Sequence, residues 1–133
     1  MILLDASAIL GYLNDEPGKE TIETLLLQGN ACISVVNWAE VMTKLCDWGM
    51  TAEQGAEVME RLALRIEPFT PEIACETARL RPLTRELGLS LGDRACLATA
   101  SVCRCAVVTG DRPWLKLAST LALEIINFRP MPH

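Results

Sequence analysis

Met1-Ile-Leu-Leu-Asp5 opens the chain with an apolar run that is too short for a helix and ends on an acid. A nearly continuous apolar run suits a strand covered on both faces, as the strands of parallel sheets are. Three further segments have the same character: Ala31-Cys-Ile-Ser-Val35, Cys105-Ala-Val-Val-Thr109 and Glu124-Ile-Ile-Asn-Phe128. A weaker one lies near Ile66. Helical patterns fill the intervals at 7–14, 19–28, 36–48, 52–64, 71–87, 91–102 and 112–119. The 36–48 pattern puts Trp38, Val41, Met42, Leu45 and Trp48 on one stripe. Thr51-Ala-Glu-Gln54 reads as a capping box, and Thr70-Pro71 as an N-cap followed by proline in the first helical position. Pro82 lies inside the 71–87 pattern and predicts a kink or break there. Strands alternating with helices predict an α/β fold: a three-layer sandwich with a central, mainly parallel sheet flanked by helices.

With 133 residues the chain has the length of one domain and is expected to form a single unit over 1–133. A chain of this length buries roughly two thirds of its unfolded surface, so it needs no disulfide or structural metal to fold. Its six cysteines sit mostly in apolar segments and are expected to be buried reduced thiols. The lone histidine is His133, and Cys103 and Cys105 have no second pair at zinc spacing, which argues against zinc. No apolar run approaches the ~20 residues of a membrane span. The start lacks the basic region and cleavage site of a signal peptide. These features lead to the expectation of a soluble, cytoplasmic protein. The net charge of −5 argues against a broad nucleic-acid-binding surface and leaves room only for a local one. Nine of the 12 cations are arginine, and six of these fall between Arg79 and Arg112.

In a parallel α/β sheet the helices run back against the strands. Helix N-termini and strand C-termini therefore share one edge, where ligands bind. Asp5 ends the first strand. Glu40 lies in the opening turns of the helix after the second, within roughly 6–8 Å of that edge at ~1.5 Å per residue. Asp93 falls in the first turn of the 91–102 helix, and Asp111 just past the 105–109 strand. The chain has only five aspartates, and three land at this edge. Like charges ~4 Å apart repel by on the order of 4 kcal/mol at an effective dielectric near 20. A shared proton or a hard divalent cation offsets such repulsion. Carboxylates around Mg²⁺ or Mn²⁺ are the apparatus of phosphodiester hydrolysis.

Each acid also has a structural reading. Asp5 suits a helix N-cap, and Glu40 an i,i+4 pair with Lys44. Asp93 suits a first-turn acid favoured by the helix dipole, and Asp111 a turn residue. Their coincidence at one edge favours the site.

At these residues the sequence resembles the PIN-domain family, and within it the VapC-like toxins of type II toxin–antitoxin systems. Four segments carry the resemblance: Ile2-Leu-Leu-Asp5-Ala-Ser7, Ile33-Ser-Val-Val-Asn-Trp-Ala-Glu40, Leu87-Gly-Leu-Ser90-Leu-Gly-Asp93-Arg-Ala, and Val108-Thr109-Gly-Asp111-Arg-Pro-Trp114. The resemblance implies a PIN-like sandwich and a Mg²⁺- or Mn²⁺-dependent endoribonuclease. Asp5, Glu40, Asp93 and Asp111 would be its catalytic and metal-holding quartet. Thr109 matches the hydroxyl residue that accompanies the last acid. Ser7 matches the small polar residue after the first, and it reads equally well as a helix N-cap. Homodimerisation and inhibition by a cognate antitoxin protein are implied as well. Arg94 and Arg112 each follow a site acid directly and are the candidate RNA contacts, with salt bridges to their neighbours as the alternative.

Two other functions stay open on the sequence. One is a non-catalytic PIN-fold module for partner assembly. The other is a phosphotransfer protein with Asp5 as nucleophile, weakened because Ser7 stands where haloacid-dehalogenase phosphatases want a second aspartate. The stripe of Trp38, Met42 and Trp48 is expected to be core or interface, and Glu57 with Arg61 a surface pair.

Overall fold

The computed structural model describes residues 1–131; His133, the lone histidine, lies outside the described residues. Five short strands form one sheet: β1 (Ile2–Leu4), β2 (Ala31–Ser34), β3 (Arg65–Glu67), β4 (Ala106–Thr109) and β5 (Ile125–Asn127). Their order is β3-β2-β1-β4-β5, and every pairing is parallel. The register aligns Leu3 with Cys32 on one side and with Val107 on the other. Strand β3, the weakest segment by sequence, is formed: Ile33 pairs with Ile66, and Arg65 answers buried Glu67 at 2.9 Å.

The strands alternate between two cores, as their two-residue period requires. Leu3, Cys32, Val107 and Ile125 point to one face. There they pack under α5 (Pro71–Thr84) and α6 (Leu91–Cys103), together with Trp114 of the 3-10 segment Arg112–Leu117. Leu4, Ile33 and Val108 point to the other face, covered by α1 (Ala6–Leu13), α2 (Lys19–Leu27), α3 (Val35–Asp47) and α4 (Ala52–Arg61). A last short helix, α7 (Ala118–Leu121), precedes β5. The result is the expected three-layer sandwich.

The caps read from sequence are present. Thr51 and Gln54 bond reciprocally at the start of α4, and Thr70 accepts from Ile73 N–H before Pro71. Two expectations need correction and a third is narrowed from core or interface to surface. Helix α5 continues through Pro82 and breaks two residues later, where a 3-10 turn spans Arg85–Leu87. Pro82 sits on the exposed side, so its ring and missing N–H are tolerated until the next turn. Of the six cysteines only Cys32 and Cys96 are buried, and Cys46 and Cys75 are exposed. Their helices turn those thiols away from the sheet. Trp48 is 48% exposed at the C-cap of α3, past the point where the stripe of Val41 and Leu45 meets the core. No helix among the described residues is long and apolar enough to cross a membrane.

Candidate active site

The chain leaves β1 toward β2 and β3, and returns to the other side of β1 through β4 and β5. This reversal opens a crevice at the C-terminal ends of β1 and β4, the place where open α/β sheets bind ligands. Asp5 sits at its floor. Its backbone N–H bonds Val108 O at 3.0 Å, and its side chain caps α1 by accepting from Ala8 N–H at 2.8 Å. Two hydroxyls complete its shell: Ser7 Oγ donates to Oδ1 at 2.7 Å and Thr109 Oγ1 to Oδ2 at 2.6 Å. Ser7 is therefore not the helix cap. The same two hydroxyls accept from the loop after β4, Ser7 Oγ from Gly110 N–H at 2.8 Å and Thr109 Oγ1 from Asp111 N–H at 3.0 Å. Asp5 and the loop bearing Asp111 are thus tied together through residues 104 positions apart.

Asp5 is 4% exposed and forms no ion pair among the described residues. Burial pushes its carboxyl up to about 6; the three hydrogen bonds pull against this, and the charge of Asp93 adds to it. Asp111 is also raised, by burial and then by Asp93, with Trp114 and Arg129 acting the other way. Asp93 closes a capping box at the start of α6: its N–H donates to Ser90 Oγ at 3.1 Å, and its Oδ2 accepts from Ser90 N–H at 3.0 Å. Both the dipole reading of Asp93 and its placement at the edge hold.

Glu40 does not pair with Lys44. Its Oε1 accepts from Asn37 Nδ2 at 2.6 Å, and the same amide group donates to Gly92 O at 3.1 Å. Asn37 is 2% exposed and joins α3 to the start of α6. A Cβ on Gly92 would lie 2.6 Å from Glu40 Cδ, so the absent side chain is what admits the carboxylate. Beneath these acids the buried Cys96 thiol is pushed well up, by burial first and then by the charges of Asp5 and Asp93.

The edge therefore sets Asp93 near enough to both Asp5 and Asp111 for its charge to raise each, with Ser7 and Thr109 bracing Asp5 and Glu40 against Gly92, the residue before Asp93. As the side chains lie, no three acids among the described residues gather closely enough to hold a metal ion. Asp93 is turned back onto its own helix cap and Glu40 onto Asn37. In donor type the set suits a hard divalent cation: all oxygen, with its floor a buried carboxylate that no cation neutralises.

Neither arginine singled out by sequence forms an ion pair among the described residues. Arg94 is turned inward, its Nη1 donating to Thr77 O of α5 at 3.0 Å. Arg112 bonds Met131 Sδ at 2.7 Å. Glu57 and Arg61 form no ion pair among the described residues. Sequence reasoning missed Asn37, whose i,i+3 spacing to Glu40 was the available signal. It also missed Gly92 and Gly110, each placed directly before a site acid.

Fold and edge together define a parallel α/β sandwich with a carboxylate-lined crevice at its topological switch point. The chain belongs to the PIN domain family, whose model matches residues 2–119. No curated protein matches it in sequence. Solved structures with similar folds include a toxin–antitoxin complex from Klebsiella pneumoniae, at 20% identity and a TM-score of 0.72, covering 98% of this chain and 100% of that one. VapBC2 from Rickettsia felis bound to a promoter DNA fragment gives 20% and 0.74, covering 96% and 98%. FitAcB from Neisseria gonorrhoeae gives 22% and 0.70, covering 96% and 98%. At these identities the likeness is one of fold.

Proposed function

We propose that this chain is a divalent-metal-dependent endoribonuclease, the toxin of a type II toxin–antitoxin pair. The observation that carries the reading is the crevice itself: the charge of Asp93 raises both Asp5 and Asp111 there, no ion pair neutralises Asp5, and burial holds Asp5 at about 6. Family membership and the toxin–antitoxin titles of the structural neighbours support it.

Asp5, Asp93 and Asp111 would hold Mg²⁺ or Mn²⁺, with Glu40 a further ligand or the group that orients water. A divalent cation bound there supplies charge for the phosphate and acidifies a bound water. Ser7 and Thr109 keep both Asp5 oxygens in one orientation while leaving lone pairs free. Asn37 keeps Glu40 beside Gly92, and a Glu40 carboxylate turned from there into the crevice would accept a proton from water attacking an RNA phosphodiester. An antitoxin protein as inhibitor and a homodimeric state complete the proposal.

The test is incubation of the partner-free protein with total RNA and Mg²⁺ or Mn²⁺, beside Asp5→Asn and with chelator. Discrete cleavage that needs metal and is lost in Asp5→Asn is the expected result. A folded protein that neither cleaves RNA nor binds metal by calorimetry overturns the nuclease reading in favour of a PIN fold kept for assembly.

A further inference from the structure

A crevice lined by carboxylates repels the phosphodiester it is proposed to cut, and a cation at its rim would add to the charge that a bound metal ion supplies. Arg94 is turned away from that rim, donating into α5, and Arg112 makes one bond to the exposed Met131 thioether. Arg129 is the cation that the fold seats in one place. It lies past β5, on a tail seated against three glycines. The ring of buried Phe128 occupies the space a side chain would take at Gly11 and Gly110, where a Cβ would meet its Cζ at 2.6 Å and Cε1 at 2.7 Å. Phe128 O fills the corresponding space at Gly18. On this base the Arg129 guanidinium stacks 5.2 Å from the Phe128 ring centroid, and its Nη1 pairs with Glu16. Its Nε and Nη2 lie against Gly110, where a Cβ would come within 2.9 Å of Nη2. Gly110 is not among the glycines with positive φ, so the residue serves this close approach and not a turn. The next residue is Asp111, whose carboxyl Arg129 lowers.

Ring, Glu16 and glycine together hold a long side chain in one place while leaving it 41% exposed. Of its five N–H donors, the pair with Glu16 uses one side of the fork. The planar guanidinium matches a phosphate bidentately, as a lysine in its place could not. We propose that Arg129 binds the RNA backbone, holding a phosphodiester at the rim of the crevice beside Asp111. The proposal rests on the nuclease reading above.

The experiment measures binding of a labelled mixed-sequence single-stranded RNA in chelator, over a range of salt, together with digestion of total RNA in Mg²⁺. The proteins are wild type, Arg129→Gln, Arg129→Lys and Glu16→Gln. Loss of one charge-assisted contact should weaken binding by about tenfold in Arg129→Gln. The same change should reduce the salt slope by about one. Arg129→Lys should restore the salt slope but only part of the affinity. Glu16→Gln removes the carboxylate that competes with phosphate for the Arg129 fork, so it should bind at least as tightly as wild type; Arg129→Lys carries the test if Arg129→Gln does not fold. A folded Arg129→Gln that matches wild type in affinity and slope, while wild type cleaves RNA, overturns the role of Arg129 alone. Wild type that neither binds nor cleaves RNA overturns the nuclease reading, and this proposal with it.

Discussion

Asp5 carries the sharpest consequence at the scale of single residues. A carboxyl at about 6 in the folded chain, against an ordinary 3.8, is more readily protonated folded than unfolded. Its charged form therefore costs the fold about 3 kcal/mol, at 1.36 kcal/mol per pH unit. The sign is opposite to that of a salt-bridged aspartate: stability falls as pH rises from about 4 to 6, then levels. Asp5→Asn sheds that cost but its amide nitrogen cannot accept from Thr109, so its melting temperature relative to wild type should be higher at pH 7.5 than at pH 4. Adding Mg²⁺ should raise the wild-type melting temperature and leave Asp5→Asn unmoved. A pH-independent difference between the two proteins would contradict this account. Gly92 makes the complementary point. Alanine there gains about 1 kcal/mol of helix propensity. It also evicts the solvent-reaching Glu40 carboxylate and loses its bond to Asn37, worth about 1 kcal/mol. Gly92→Ala should thus unfold near the wild-type urea midpoint while cleaving RNA no faster than Glu40→Gln.

At the scale of elements, the helices were legible because their signals are local. Thr51 with Gln54, Thr70 with Pro71, and Ser90 with Asp93 each cap a helix through neighbours three residues apart or fewer. The break in α5 was legible only in kind. Pro82 removes one N–H, but packing of Leu80 and Thr84 against the core holds the helix for one more half-turn. An interior proline costs a helix ~3 kcal/mol before relaxation. Pro82→Ala should accordingly stabilise the protein by about 1–2 kcal/mol in urea unfolding, since the residue is exposed and blocks nothing. A loss of stability would mean that the turn at Arg85–Leu87 depends on the proline.

At the scale of the whole molecule, the net charge of −5 leaves room only for a local nucleic-acid contact, and the Phe128–Arg129 tail holds the cation proposed for it. Large apolar side chains remain exposed at Trp48, Ile66, Leu83 and Leu91. The proposed homodimer would cover part of such surface. Sedimentation of the partner-free chain should therefore return twice its 14.6 kDa. A single-chain mass at micromolar concentration would count against the dimer.

The sequence by itself determined the alternation of buried strands with capped helices, and so the parallel sandwich, because hydrophobic period and capping act over a few residues. It also placed Asp5, Glu40, Asp93 and Asp111 at one edge, since in a parallel sheet chain direction alone assigns each strand end and helix start to an edge. Only the tertiary structure decided what surrounds them. Which way Arg94 turns, that Asn37 ties α3 to Gly92, and that Arg129 arrives at Gly110 all depend on contacts between residues distant in the chain. Thr109 bracing Asp5, and Gly110 donating to Ser7, are contacts of the same kind. Those contacts are set by packing of side chains against one another in three dimensions, and no local period or spacing encodes them.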